Sequence, residues 1–107
     1  MSKSTAAKFV HCVYFTLKDQ SDEIRARLIA GCEKYLTDHP GTVHFSAGCR
    51  ATEYQRPVND QQFDVALVLV FASEADHDNY QVSERHQSFI AEFKESWSAV
   101  RVFDALA

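Results

Sequence analysis

Glycine and proline are scarce in this chain of 107 residues, numbering three and two. No glycine-rich loop of the kind that cradles phosphates can be built from them, which argues against nucleotide-dependent chemistry. The three cysteines, Cys12, Cys32 and Cys49, are odd in number and widely spaced, with no C-x-x-C pair for zinc or redox work. They read as free thiols buried among apolar neighbours, and without an activating partner none reads as a nucleophile. Long apolar runs are missing too. The longest strongly apolar stretch, Val65 to Ala72, falls far short of the roughly 20 residues a membrane-spanning helix needs. The opening "MSKSTAAKF" lacks the apolar core of a signal peptide, so the expected compartment is the cytoplasm. Basic charge is sparse: 11 Lys and Arg against 15 Asp and Glu leave a net charge of −4, and the basic residues are scattered. That argues against nucleic acid as a partner.

What remains is an ordinary globular composition, 46% hydrophobic and 24% charged, at a length that suits one domain. Residues 1–8 read as a disordered tail and residues 9–107 as the domain. From Phe9 the pattern has period two, with Phe9, His11, Val13, Phe15 and Leu17 on one face and Val10, Cys12, Tyr14 and Thr16 on the other. Both faces are largely apolar, which predicts a strand covered on both sides. Ser21 is a good N-cap, and Asp22 and Glu23 place negative charge where a helix dipole favours it. The stripe Ile24, Leu28, Cys32, Tyr35 and Leu36 predicts a helix over 21–38, stopped by Pro40 and Gly41. Alternation at Val43, Phe45, Ala47, Cys49 and Ala51 predicts a second strand, and "FDVALVLVFA" over 63–72 a central one. Ser73 caps a second helical region, which a break at Val82 and Ser83 separates from a further helix over Glu84 to about Trp97. "AVRVFDA" closes the chain as a short strand.

The order β-α-β-β-α-β, with its second helix split, predicts an α+β, ferredoxin-like fold: a four-stranded antiparallel sheet with helices on one face. The other face, with Val10, Cys12, Tyr14, Val68 and Val70, would be bare in a single chain. An exposed apolar patch of that kind calls for a cover, and a homodimer with two sheets packed face to face supplies it.

Four features in this order, "HCVYFTLK", "FDVALVLVFAS", Y-x5-H-x2-F and W-x5-FD, make the chain similar to the stress-responsive A/B barrel, or Dabb, family of dimeric α+β barrels. The resemblance runs from about Phe9 to Asp104. It implies a homodimer and a cavity between sheet and helices for a small organic molecule. One member of the family, olivetolic acid cyclase, closes a polyketide by aldol condensation. By resemblance its acid–base roles fall on Tyr80 and His86, with His11 as a pocket histidine, while Val65 stands where the cyclase has another histidine.

The residues themselves allow this. His11 alternates with Phe9, Val13 and Phe15, so a helix-covered face points its imidazole toward the segment carrying Tyr80 and His86. An imidazole near neutral pKa takes a proton from a carbon acid while a phenol stabilises the developing enolate. On this reading His86 is the base, Tyr80 the acid and His11 an orienting group, with Val65, Leu67, Phe89 and Phe93 shaping the substrate space. The activity would be of cyclase, isomerase or lyase type. The plainer alternative for His11 is a hydrogen-bonded core imidazole, and for Tyr80 and His86 packing at a helix surface, in a non-catalytic stress-associated dimer. A cofactor-independent monooxygenase-like barrel is the third alternative. No cofactor and no metal are expected: Asp76, His77 and Asp78 are consecutive and diverge on a helix, and His39 and His44 flank a turn as solvated imidazoles.

Overall fold

A computed structural model describes residues 7–107. The tail expected over 1–8 lies mostly outside the described residues, but Lys8 exchanges two backbone hydrogen bonds with Ala107. The elements run β1 (Phe9–Leu17), α1 (Asp22–Tyr35), β2 (Thr42–Cys49), β3 (Val65–Phe71), α2 (Glu74–Gln81), α3 (Glu84–Phe93), a 3-10 turn (Lys94–Ser96) and β4 (Trp97–Leu106). They form one antiparallel sheet in the order β2-β3-β1-β4. This is the ferredoxin-like α+β arrangement expected from the pattern.

The two central strands alternate strictly. Phe9, His11, Val13, Phe15 and Leu17 of β1 are buried beneath the helices, as are Val65, Leu67, Leu69 and Phe71 of β3. Leu28, Cys32 and Leu36 come down from α1 and Phe89 and Phe93 from α3 to complete this core. Each α-helix begins at a serine whose hydroxyl accepts a backbone N–H: Ser21 from Ile24, Ser73 from Asp76, Ser83 from His86. Such a cap satisfies one of the four orphan donors of a first turn. The helix expected over 21–38 ends earlier, at Tyr35, because the chain turns through Asp38 and Gly41, both at positive φ. Gly41 is required there, since a Cβ would fall within 2.2 Å of the Asp76 carboxyl carbon.

Three further expectations need correction. Trp97 is not the end of a helix. Phe89, Phe93 and Trp97 share a helical spacing, yet after the 3-10 turn Trp97 adopts extended backbone and pairs with Leu17. Its ring still meets Phe15 at 4.9 Å and Phe89 at 6.0 Å, so one apolar cluster is reached by two secondary structures. Strand β2 stops at Cys49, two residues before Ala51, and its register shifts between Thr42 and His44, leaving Val43 exposed. Cys49 is likewise exposed and Cys12 half-buried, so only Cys32 is the buried thiol expected of all three. Burial pushes the Cys32 thiol up to about 12.

The opposite face of the sheet carries Val10, Cys12 and Tyr14 of β1 and Val68 and Val70 of β3, all partly exposed. Phe103 extends this face from β4, opposite Cys12 and 5.7 Å from the Tyr14 ring. None of the helices of the described residues is long and apolar enough to cross a membrane.

Candidate functional site

The site lies where β1 meets the split second helix. His11 points inward from β1, its side chain 5% exposed, and its Nδ1 is 2.6 Å from Oδ1 of Asp104, the residue opposite it on β4. Tyr80 is the penultimate residue of α2 and is 2% exposed. His86 sits in the first turn of α3. The joint between the two helices is held by Ser83, which donates to the Tyr80 carbonyl through both its backbone N–H (3.2 Å) and its hydroxyl (2.9 Å). The same hydroxyl accepts the His86 N–H at 3.2 Å.

The rings converge. Tyr80 and His86 meet edge-on with centroids 4.9 Å apart, and His11 lies 6.0 Å from Tyr80. No hydrogen bond joins the Tyr80 hydroxyl to either imidazole among the described residues, so the contact is aromatic packing around a shared space. That space is a cavity of about 180 Å³ lined by His11, Tyr80, Gln81 and His86 at one end. Leu67 and Phe89, two of the four residues expected to shape it, form its walls together with Ile90, Trp97, Val100 and Val102. Val65 and Phe93, the other two, lie in the packed core instead and do not line it. Val100 and Val102 face the helix side of β4 but remain 44% and 49% exposed, because the helices do not reach over this edge strand; the cavity opens there. Two larger hollows, about 310 and 380 Å³, are more open and hold none of the expected site residues.

Burial sets the protonation states. Desolvation, reinforced by the neighbouring imidazoles of His11, His39 and His77, holds His86 below the ordinary histidine value. Desolvation also raises the Tyr80 phenol well above its usual range, with the Cys32 thiol adding to the effect. For His11, burial lowers the pKa and outweighs the opposing pull of Asp104. At neutral pH the cavity therefore presents an unprotonated imidazole beside a protonated phenol, the states a general base and a general acid require.

Asp104 and Gln81 were not anticipated at the site, and His77 was weighed only as a metal ligand with Asp76 and Asp78 and set aside. Asp104 was visible as part of the W-x5-FD pattern, but its pairing with His11 depends on the β1–β4 register. Gln81 and His77 are i, i+4 neighbours on α2, bonded at 3.3 Å, and this spacing was a legible signal. His39 is buried rather than solvated: its Nε2 is 2.8 Å from the Tyr35 carbonyl and its ring stands edge-on to Tyr80 at 4.9 Å.

A sheet with helices on one side, an apolar face on the other and a cavity beneath the split helix places the molecule among the ferredoxin-like α+β barrels. Residues 9–106 match the Stress responsive A/B Barrel Domain, Dabb, and the chain belongs to that family. No curated protein matches it by sequence. Among solved structures it is similar to a Dabb family protein with a ferredoxin-like fold from Mesorhizobium loti, with TM-score 0.78 and 21% identity over 94% of this chain and 97% of that one. It is also similar to the hydroxynitrile lyase of Passiflora edulis, with TM-score 0.76 and 22% identity over 96% and 95% of the two chains. A dimeric ferredoxin-like protein of unknown function from Thermobifida fusca gives TM-score 0.78 at 14% identity, covering 95% of this chain and 92% of its own.

Proposed function

We propose that this chain is a homodimeric Dabb-domain protein that binds a small organic molecule between sheet and helices and moves a proton on it. The reaction is of lyase, isomerase or cyclase type at a carbonyl compound. The observation that carries this reading is that Tyr80, His86 and His11 share one cavity. In the proposed step His86 takes the proton from the carbon next to the carbonyl. The electron pair moves onto the carbonyl oxygen, which accepts a hydrogen bond from the Tyr80 hydroxyl. His11, held by Asp104, orients the substrate.

A volume of about 180 Å³ is small beside the roughly 300–1,000 Å³ of sites for drug-sized ligands, which favours a compact substrate. The lyase named for hydroxynitriles on the same fold supports starting there. The homodimer is supported by the apolar face of Val10, Val68 and Val70 and by relatives described as dimeric. The test is a screen of small aldehydes and ketones that carry a hydrogen on the carbon next to the carbonyl, against the intact protein, read first by exchange of that hydrogen with deuterium from solvent. His86→Ala and Tyr80→Phe should each lower turnover by about 10²–10⁴-fold, the usual worth of general acid–base catalysis, while the fold survives. Turnover unchanged in both variants would remove the assignment.

A second reading, a non-catalytic stress-associated dimer, is favoured by one observation: the Tyr80 ring is packed among His39, Phe71 and His86 as core aromatics are. It predicts that the same substitutions change stability and nothing else.

A further inference from the structure

His11 has a neighbour that the proton-transfer reading leaves unused. His77, on α2, stacks on Phe9 with centroids 3.9 Å apart, and its ring lies 5.0 Å from that of His11. Its side chain is 12% exposed. No metal was expected here because Asp76, His77 and Asp78 diverge along one helix. The convergence instead comes from another element: a ligand atom from each of His11, His77 and Asp104 lies within 4.8 Å of the other two.

The hydrogen bonds sharpen this. Each imidazole has a carboxylate at Nδ1: Asp104 at 2.6 Å from His11 and Asp78 at 3.1 Å from His77. A carboxylate at Nδ1 fixes the tautomer that leaves Nε2 with a free lone pair, the arrangement that orients metal-binding histidines. Both Nε2 atoms then face one atom, the Gln81 amide nitrogen, at 3.4 Å from His11 and 3.3 Å from His77. The Gln81 amide thus sits at the meeting point of the two imidazole lone pairs. Turned over, it offers its oxygen as a third ligand.

We propose that His11 and His77, through their Nε2 atoms, and Gln81, through its amide oxygen, form a binding site for one divalent zinc-type cation, with Asp104 and Asp78 behind the imidazoles. Zinc takes imidazole nitrogens at roughly 2.0–2.1 Å, so binding draws the two rings in toward one ion. The Asp104 carboxylate supplies nearby negative charge. His11 and Gln81 also line the cavity, so the fourth position of such an ion opens toward whatever occupies it. The site does not rest on the proton-transfer reading, and binding rather than turnover tests it.

The probe is Zn²⁺ alone, titrated calorimetrically into the intact, tag-free protein, with Co²⁺ absorption as a second readout. Three variants decide. His77→Phe keeps an aromatic ring on Phe9 while removing a ligand, and thermal melts check its fold. Asp104→Asn keeps the shape and removes the charge behind His11. His44→Ala/Cys49→Ser removes exposed groups that could hold zinc adventitiously. One ion per chain is expected, with binding abolished by His77→Phe, weakened about 10–100-fold by Asp104→Asn and untouched by the surface variant. Wild-type binding no tighter than that of folded His77→Phe, or binding lost in the surface variant, overturns the site.

Discussion

Gly31 lies in α1 directly against the ring of Phe93 on α3, with no side chain of its own between them. In an exposed helix interior, replacing glycine with alanine stabilises by about 1 kcal/mol. Here the added Cβ would stand 2.3 Å from Phe93 Cζ and 2.4 Å from Cε2. Carbon contacts settle at roughly 3.5–4.0 Å, so the ring must shift by more than an ångström. It has little freedom to do so: Phe93 is 3% exposed, with Phe89 at 5.3 Å and the Arg27 guanidinium 5.2 Å from its centroid. Overpacking of this kind costs about 1–3 kcal/mol and exceeds the helix gain, leaving Gly31→Ala destabilised by roughly 1 kcal/mol. At fixed protein concentration this lowers the melting temperature by about 4–8 °C. Calorimetric or circular-dichroism melts read the shift directly, and Phe93→Leu placed in the Gly31→Ala background should recover most of it. A raised melting temperature for Gly31→Ala alone, or strictly additive effects in the double variant, would refute the reasoning.

Other consequences are equally open to measurement. Because burial and the imidazoles of His11, His39 and His77 hold the folded-state pKa of His86 below 6.5, its protons bind more readily to the unfolded chain. The associated stability is present above pH 6.5 and is lost as pH falls toward the lowered value, so melts from pH 8 to 5 should decline, less steeply in His86→Gln. A flat or rising profile counts against it. Asp64, buried immediately before β3, accepts from the Leu17 backbone N–H at 2.8 Å and ties the approach to β3 to the end of β1. Asp64→Ala should cost about 1–3 kcal/mol in denaturant unfolding through the stranded donor. Val70→Lys, opposite Val10 on the uncovered sheet face, should turn the proposed homodimer into monomers by analytical ultracentrifugation. An unchanged dimer would place the interface elsewhere.

The alternation on β1 and β3 and the serine caps at 21 and 73 were legible because each is decided by neighbours a few residues away; Ser83 read only as a break, and the structure makes it a third cap. The same local logic led to error at Trp97, whose i+4 spacing from Phe93 imitates a helix although its backbone is extended. It also missed the register shift at Val43, since a bulge exists only relative to a partner strand. The candidate site divides in the same way. His11, Tyr80 and His86 could be named from pattern and family resemblance, whereas Asp104 joins them only through the β1–β4 pairing. Which apolar side chains form the walls is a matter of packing: Leu67 lines the cavity and Val65, two residues away on the same face, does not.

The joint at Ser83 has a further meaning for how such a site can change over generations. Tyr80 and His86 belong to different helices, and one hydroxyl sets the backbone of both. The angle between phenol and imidazole is thus encoded outside the pocket, at a residue that does not line the cavity. Replacement at that single codon would re-aim the pair while every residue lining the cavity kept its identity, so a lineage could explore new geometries without first exchanging the side chains of the old binding surface.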